Sequence, residues 1–126
     1  MHILIIENSR DITSRLSGFL ESKGHVVDTA GSGLSCRQVA LVEQYDAIII
    51  DVMLPDMDGL RFCRMLRDCG CAATPILMMS ESDSLDEKIA CFEAGADDYL
   101  SRHATLSEIE SRLRVLFRLK TRAKAI

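Results

Sequence analysis

Three short apolar runs, at 3–6, 47–50 and 76–79, each stop abruptly at a polar side chain: Glu7, Asp51 and Ser80. Runs of this length, apolar at every position, suit strands buried on both faces, as the central strands of a parallel sheet are. Two more segments, 25–29 and 98–100, read as the remaining strands. Parallel neighbours need long crossovers, and the intervening stretches carry a helical period.

In the first crossover Ile12, Leu16, Phe19 and Leu20 fall at i, i+4, i+7 and i+8, one stripe along a helix that ends at Lys23-Gly24. The same reasoning predicts helices at about 33–43, 59–67, 85–93 and 106–119, the last with Leu106, Ile109, Leu113 and Leu116 on one side. Ser84 before Leu85, with Glu87 three residues on, reads as a capping box. Five strand–helix units joined by right-handed crossovers make an α/β, (βα)5 doubly wound fold with helices on both faces of the sheet. Functional groups in such folds gather beyond the carboxyl ends of the strands.

A chain of 126 residues, 48% hydrophobic and 27% charged, suits one globular domain, expected over 1–119. No apolar run approaches the roughly 20 residues that span a bilayer. The start of the chain does not read as a signal peptide, so a cytoplasmic location is expected. Five cysteines, Cys36, Cys63, Cys69, Cys71 and Cys91, match neither a disulfide framework nor a paired zinc site and read as free thiols. All 19 acidic residues precede Arg112, whereas six of the 15 bases lie from Arg112 onward. That basic stretch suits a helix C-terminus leading into a linker stub or tail at 120–126 better than a nucleic-acid surface, and no direct nucleic-acid binding is expected.

At the strand ends the sequence offers Glu7-Asn8, Asp51, Ser80-Glu81 and Arg102, polar groups from four separate segments. Singly, each has a plainer reading. Glu7 and Asn8 can cap the first helix, Ser80 can cap the fourth, and Tyr99 can be an ordinary half-buried strand aromatic. The segment Asp51-Val52-Met53-Leu54-Pro55-Asp56-Met57-Asp58-Gly59, however, resembles the phosphoacceptor loop of response-regulator receiver domains of bacterial two-component systems. The likeness runs from Ile3-Leu4-Ile5-Ile6-Glu7 to Ala94-Gly95-Ala96-Asp97-Asp98-Tyr99-Leu100.

The resemblance implies a flavodoxin-like five-stranded sheet in order 2-1-3-4-5, and a signalling phosphoprotein rather than an enzyme with its own substrate. It implies that Asp51 takes a phosphoryl group from a sensor histidine kinase or phosphotransfer protein, and that Ser80 and Arg102 contact that group. Ser80 and Tyr99 become the switch residues. It further implies an Mg²⁺ site drawing on Glu7, position 8, Asp51 and the backbone carbonyl of Met53, as suits a hard cation with oxygen ligands. Lys88, Glu93, Asp97, Asp98 and Arg112 match the surface through which some receivers form a homodimer, using the fourth helix, fifth strand and fifth helix. The output domain or partner is not specified by these residues.

Four positions depart from the pattern. Asn8 stands where a second acid is usual, so weak Mg²⁺ binding is expected. Arg102 replaces a lysine, exchanging a point charge for a planar fork. His103 replaces a proline; a cis bond before a non-proline residue costs ~2.5–4 kcal/mol, so this loop is expected to run trans. Glu81 adds a negative charge beside the hydroxyl of Ser80. The principal reading is therefore a phosphorylatable receiver with altered kinetics, and the alternative is an atypical receiver acting as a phosphorylation-independent protein-binding module. A small hydrolase on the same fold lacks support, since neither a nucleophile elbow nor a Gly-rich phosphate loop is present.

Overall fold

The computed structural model describes residues 1–32, 45–69 and 73–125. Strands β1 (His2–Ile6), β2 (Val26–Ala30), β3 (Ala47–Asp51), β4 (Ile76–Ser80) and β5 (Asp98–Ser101) form one sheet in the order β2-β1-β3-β4-β5. All four pairings are parallel. The apolar runs of β1, β3 and β4 are almost wholly buried, and β2, at one edge, is largely open. Asp51 and Ser80 are the last residues of β3 and β4, still paired within the sheet, rather than the first residues of loops.

The helices among the described residues are α1 (Arg10–Ser22), α2 (Gly59–Asp68), α3 (Leu85–Glu93) and α4 (Leu106–Ala125). The helix expected at 33–43, like Cys36 and Cys71, lies outside the described residues. Side chains alternate along the strands, so Leu4, Ile6, Ile48, Ile50 and Met78 pack with Phe62 and Leu66 of α2 on one face. Ile3, Ile5, Ile49 and Leu77 meet Leu16 and Leu20 of α1 and Ile109 and Leu113 of α4 on the other. Helix α4 continues past the expected end near 119, through a segment of lysine, threonine, arginine and alanine that holds neither glycine nor proline. No helix among the described residues is long and apolar enough to cross a membrane.

Local chemistry corrects two capping assignments. Ser9 caps α1, its Oγ accepting from the Ile12 amide, while Glu7 accepts the Ser9 amide and Asn8 does not cap. Ser84 Oγ accepts the Glu87 amide at the start of α3, as a capping box requires. The reciprocal half is missing: the Ser84 amide goes to Ser82 Oγ, and the Glu87 carboxylate accepts from Ser80 Oγ instead.

Asp97, expected at a subunit interface, is held within the chain. Its Oδ2 accepts from the Ile76 amide and pairs with Arg67 Nη2, both at 2.8 Å. Arg67 also donates to the carbonyls of Gly95 and Thr74, tying α2 to the turn before β5. Cys63 and Cys91 are buried in the α2–α3 side of the core, and that burial pushes both thiols up to about 11. At neutral pH they remain protonated and behave as small apolar groups.

One contact links helix packing to the strand end that carries Asp51. A Cβ on Gly59, the first residue of α2, would lie 2.3 Å from the Asp51 carbonyl oxygen and 2.8 Å from Val52 Cα. Both are backbone atoms and cannot rotate away. Gly59→Ala should therefore cost about 1–3 kcal/mol through overpacking and push the Asp51 loop away from α2. Urea denaturation measures the loss; unchanged stability would show that α2 can slide without cost.

Candidate functional site

The carboxyl ends of β1, β3 and β4 and the residue after β5 bring Glu7, Asp51, Ser80 and Arg102 to one edge of the sheet. Asp51 ends the central strand and is only 3% exposed. Its Oδ1 accepts the Met53 amide at 3.2 Å, which fixes the carboxylate over the following loop. Removal from water, then the hydrogen-bonded and charged Glu7 carboxyl beside it, push Asp51 up to about 7, although the Met53 amide and Arg102 oppose the rise.

Arg102 follows β5, and its backbone amide donates to the Ser80 carbonyl at 2.8 Å, which aims its side chain across the strand ends. The guanidinium then forks. Nη2 lies 3.2 Å from Glu7 Oε1, and Nη1 lies 3.1 Å from Glu81 Oε1 and 3.9 Å from Asp51 Oδ2. Its Nε is buried and has no hydrogen-bond partner. The sequence suggested that Glu81 opposes an incoming anion; in the structure its carboxylate is also an anchor for Arg102. An open cleft of about 320 Å³ is lined by Glu7, Asn8, Ser9, Asp51, Met53, Glu81 and Arg102. The Arg102–His103 bond is trans, as expected, and the His103 amide donates to Ser101 Oγ at 3.1 Å.

Ser80 has protein partners of its own. Its Oγ accepts the Ser82 amide and donates to the carboxylate of Glu87 on α3. Tyr99 is 8% exposed, and its hydroxyl donates to the Ser82 carbonyl, so the ring is turned inward. Glu87 was visible in the sequence only as half of a capping box, because nothing in local spacing shows that a strand end seven residues earlier competes for it.

Of the expected interface residues, Lys88 and Glu93 are exposed on α3, beside the exposed apolar Leu85, Ile89 and Phe92. Arg112 of α4 pairs within the chain with Asp98 at 3.3 Å and Glu108 at 3.5 Å. These are partly solvated pairs worth little individually.

Residues 3–114 match the family model for the response regulator receiver domain. The chain belongs to that family. It is 37% identical over 118 residues to the response regulator MprA of Mycobacterium avium, covering 94% of this chain and 51% of that protein. The chain thus spans about half the length of the curated relatives it matches. A response regulator from Chloroflexus aurantiacus superposes with a TM-score of 0.87 at 32% identity, covering 93% of this chain and 97% of the other. The BeF3-activated N-terminal receiver domain of RstA from Klebsiella pneumoniae gives 0.85 at 27% identity, covering 94% and 99%.

Receiver domains generally bind Mg²⁺ at the acidic phosphorylation site. The donors here, two carboxylates, an amide and backbone carbonyls, are hard oxygens of the kind Mg²⁺ takes, so the chemistry of the set fits. Charge is thinner than in a cluster of three acids: among the described residues no group of three or more acid, histidine or cysteine side chains is arranged to hold a metal ion. Much of the carboxylate capacity is already engaged, Glu7 Oε1 by the Ser9 amide and Arg102, and Asp51 Oδ1 by the Met53 amide.

Proposed function

We propose that the chain is a cytoplasmic phosphoacceptor in which Asp51 receives a phosphoryl group from a sensor histidine kinase or a phosphotransfer protein and passes the signal to an output domain or partner. The observation that carries this reading is the near-complete burial of Asp51 at the end of the central strand, beside Glu7 and Arg102. In this reading the receiver takes up 1–119 and 120–126 is a basic linker stub or tail, into which α4 continues as far as Ala125.

In the transfer, an Asp51 carboxylate oxygen attacks phosphorus, the phosphorus–nitrogen bond of a phosphohistidine breaks, and the leaving nitrogen keeps the electron pair and takes a proton. The product is an aspartyl phosphate. Mg²⁺, when bound by Glu7, Asn8, Asp51 and the Met53 carbonyl, supplies positive charge against the crowded oxygens. Arg102 supplies further positive charge, and its two terminal nitrogens can both donate to a phosphoryl group. Ser80 then donates its hydroxyl to the new phosphoryl group and leaves Glu87. The vacated space lets Tyr99 change rotamer and report the event to the α3–β5–α4 surface, where Lys88, Glu93, Asp98 and Arg112 and the apolar Leu85, Ile89 and Phe92 offer a homodimer interface. Asp97, exposed although paired with Arg67, belongs to the same surface.

Intact-mass measurement after incubation with acetyl phosphate and Mg²⁺ tests the assignment. A single phosphoryl adduct is expected on the wild type and none on Asp51→Asn. An inert wild type supports the phosphorylation-independent binding module instead, a reading favoured by the Arg102 fork that already ties up Glu7 and Glu81. Because Ser80 must abandon Glu87, Glu87→Ala should raise the steady-state labelled fraction about threefold, a difference of roughly 0.7 kcal/mol. Equal labelling in the two proteins would mean that the Ser80–Glu87 bond does not restrain the switch.

A further inference from the structure

The Arg102 side chain is 85% buried, and its guanidinium reaches Glu7, Asp51 and Glu81 from a position between them. Holding it there leaves Nε buried without a partner, a penalty comparable to a lost hydrogen bond. The pull of the carboxylates outweighs that penalty. Charge and geometry make Arg102 the counter-ion of the pocket: one fixed positive charge sits where three acids would otherwise repel one another.

We infer that Arg102 is a resident cation that competes with divalent metal for the Glu7–Asp51 pocket, so that metal binds only as the guanidinium withdraws toward Glu81. This rests on the reading of the pocket as a receiver phosphorylation site and adds a regulator to it. The competition is local rather than a matter of net charge. Glu7 Oε1 cannot hold Arg102 at 3.2 Å and present the same lone pair to a metal. A guanidinium within 3.9 Å of Asp51 Oδ2 also repels a second cation at that oxygen. A lysine ammonium is a compact, strongly hydrated point charge on a flexible stem, whereas the rigid arginine fork engages Glu7 through Nη2 and Glu81 through Nη1 and is held more firmly.

Mn²⁺ titration followed by electron paramagnetic resonance of the free ion reads metal affinity directly, without a phosphodonor. Arg102→Met is expected to bind Mn²⁺ at least tenfold more tightly than wild type, and Arg102→Lys about threefold more tightly. Arg15→Met removes an equal charge from the exposed side of α1, where Arg15 pairs with Asp11, and is expected to change affinity less than twofold. Unchanged or weaker binding in Arg102→Met overturns the inference. So does equal tightening in Arg102→Met and Arg15→Met, which would reduce the effect to net charge. Should Arg102→Met not fold, the Arg102→Lys arm decides alone: affinity equal to wild type overturns the competition. Because no phosphoryl group is involved, failure here is distinct from failure of Asp51 to label.

Discussion

A chain carrying Asn8→Asp, Arg102→Lys and Glu81→Ala together is expected to label at Asp51 more than tenfold faster than wild type with acetyl phosphate and Mg²⁺. Each change acts on a different obstacle. Asn8→Asp adds a formal negative charge at the mouth of the cleft, and a unit charge at contact distance is worth about 4 kcal/mol even at an effective dielectric of ~20. Arg102→Lys replaces a fork that engages Glu7 and Glu81 at once with a single point charge. Glu81→Ala removes a negative charge from the route by which an anionic donor arrives. A tenfold gain needs only ~1.4 kcal/mol of transition-state stabilisation, so the combined change is ample. The three positions share one site and will not add simply, so the three single variants belong in the same experiment. A triple variant no faster than wild type would place the kinetic limit elsewhere, with the Ser80–Glu87 bond the next candidate.

The second large effect is on stability, and its sign opposes the usual aspartate case. The folded-state pKa of Asp51 is raised from 3.8 to about 7 by burial and by Glu7, so between those values the native protein holds a proton that the unfolded chain has released. Stability therefore falls as pH rises from about 4 to about 7, and the full penalty is present above 7. Asp51→Asn removes the titrating group and keeps the shape. In metal-free buffer at pH 8 it should be more stable than wild type by roughly 2–4 kcal/mol, with the advantage vanishing near pH 4. Urea denaturation at the two pH values measures both points. An asparagine variant that is less stable at pH 8 would mean that Arg102 compensates Asp51 fully, leaving no strain to relieve.

Much of this architecture is legible in the chain because the physics that sets it is local. The runs at 3–6, 47–50 and 76–79 are apolar at every position, a pattern that suits short strands covered on both faces. Their terminal acids and hydroxyl mark the functional edge because the apolar pattern stops there while burial continues, leaving Glu7, Asp51 and Ser80 as buried polar groups at one end of the sheet. The sheet order followed from the resemblance carried by the loop at Asp51. What local patterns could not show are pairings between distant segments. Arg102 and Glu7 are 95 residues apart, and no spacing rule tells that one guanidinium will bridge Glu7 and Glu81. Asp97 is the surface acid the sequence suggests, yet nothing in local spacing tells that Arg67, 30 residues earlier, reaches it from α2. Glu87 satisfied a helix-capping pattern that was correct for Ser84 Oγ and the Glu87 amide, yet its own carboxylate went to Ser80, where a buried hydroxyl needed a partner.

The assignment of Asp51 is tested most directly by locating the phosphoryl group. After incubation with acetyl phosphate and Mg²⁺, borohydride reduction converts an aspartyl phosphate to homoserine, and peptide mass mapping then reads the modified position. Homoserine at position 51 and nowhere else is the expected result. Homoserine at Asp56 or Asp58 with position 51 unmodified, or a phosphoryl adduct that leaves no homoserine at all, would contradict a phosphoacceptor at the end of the central strand.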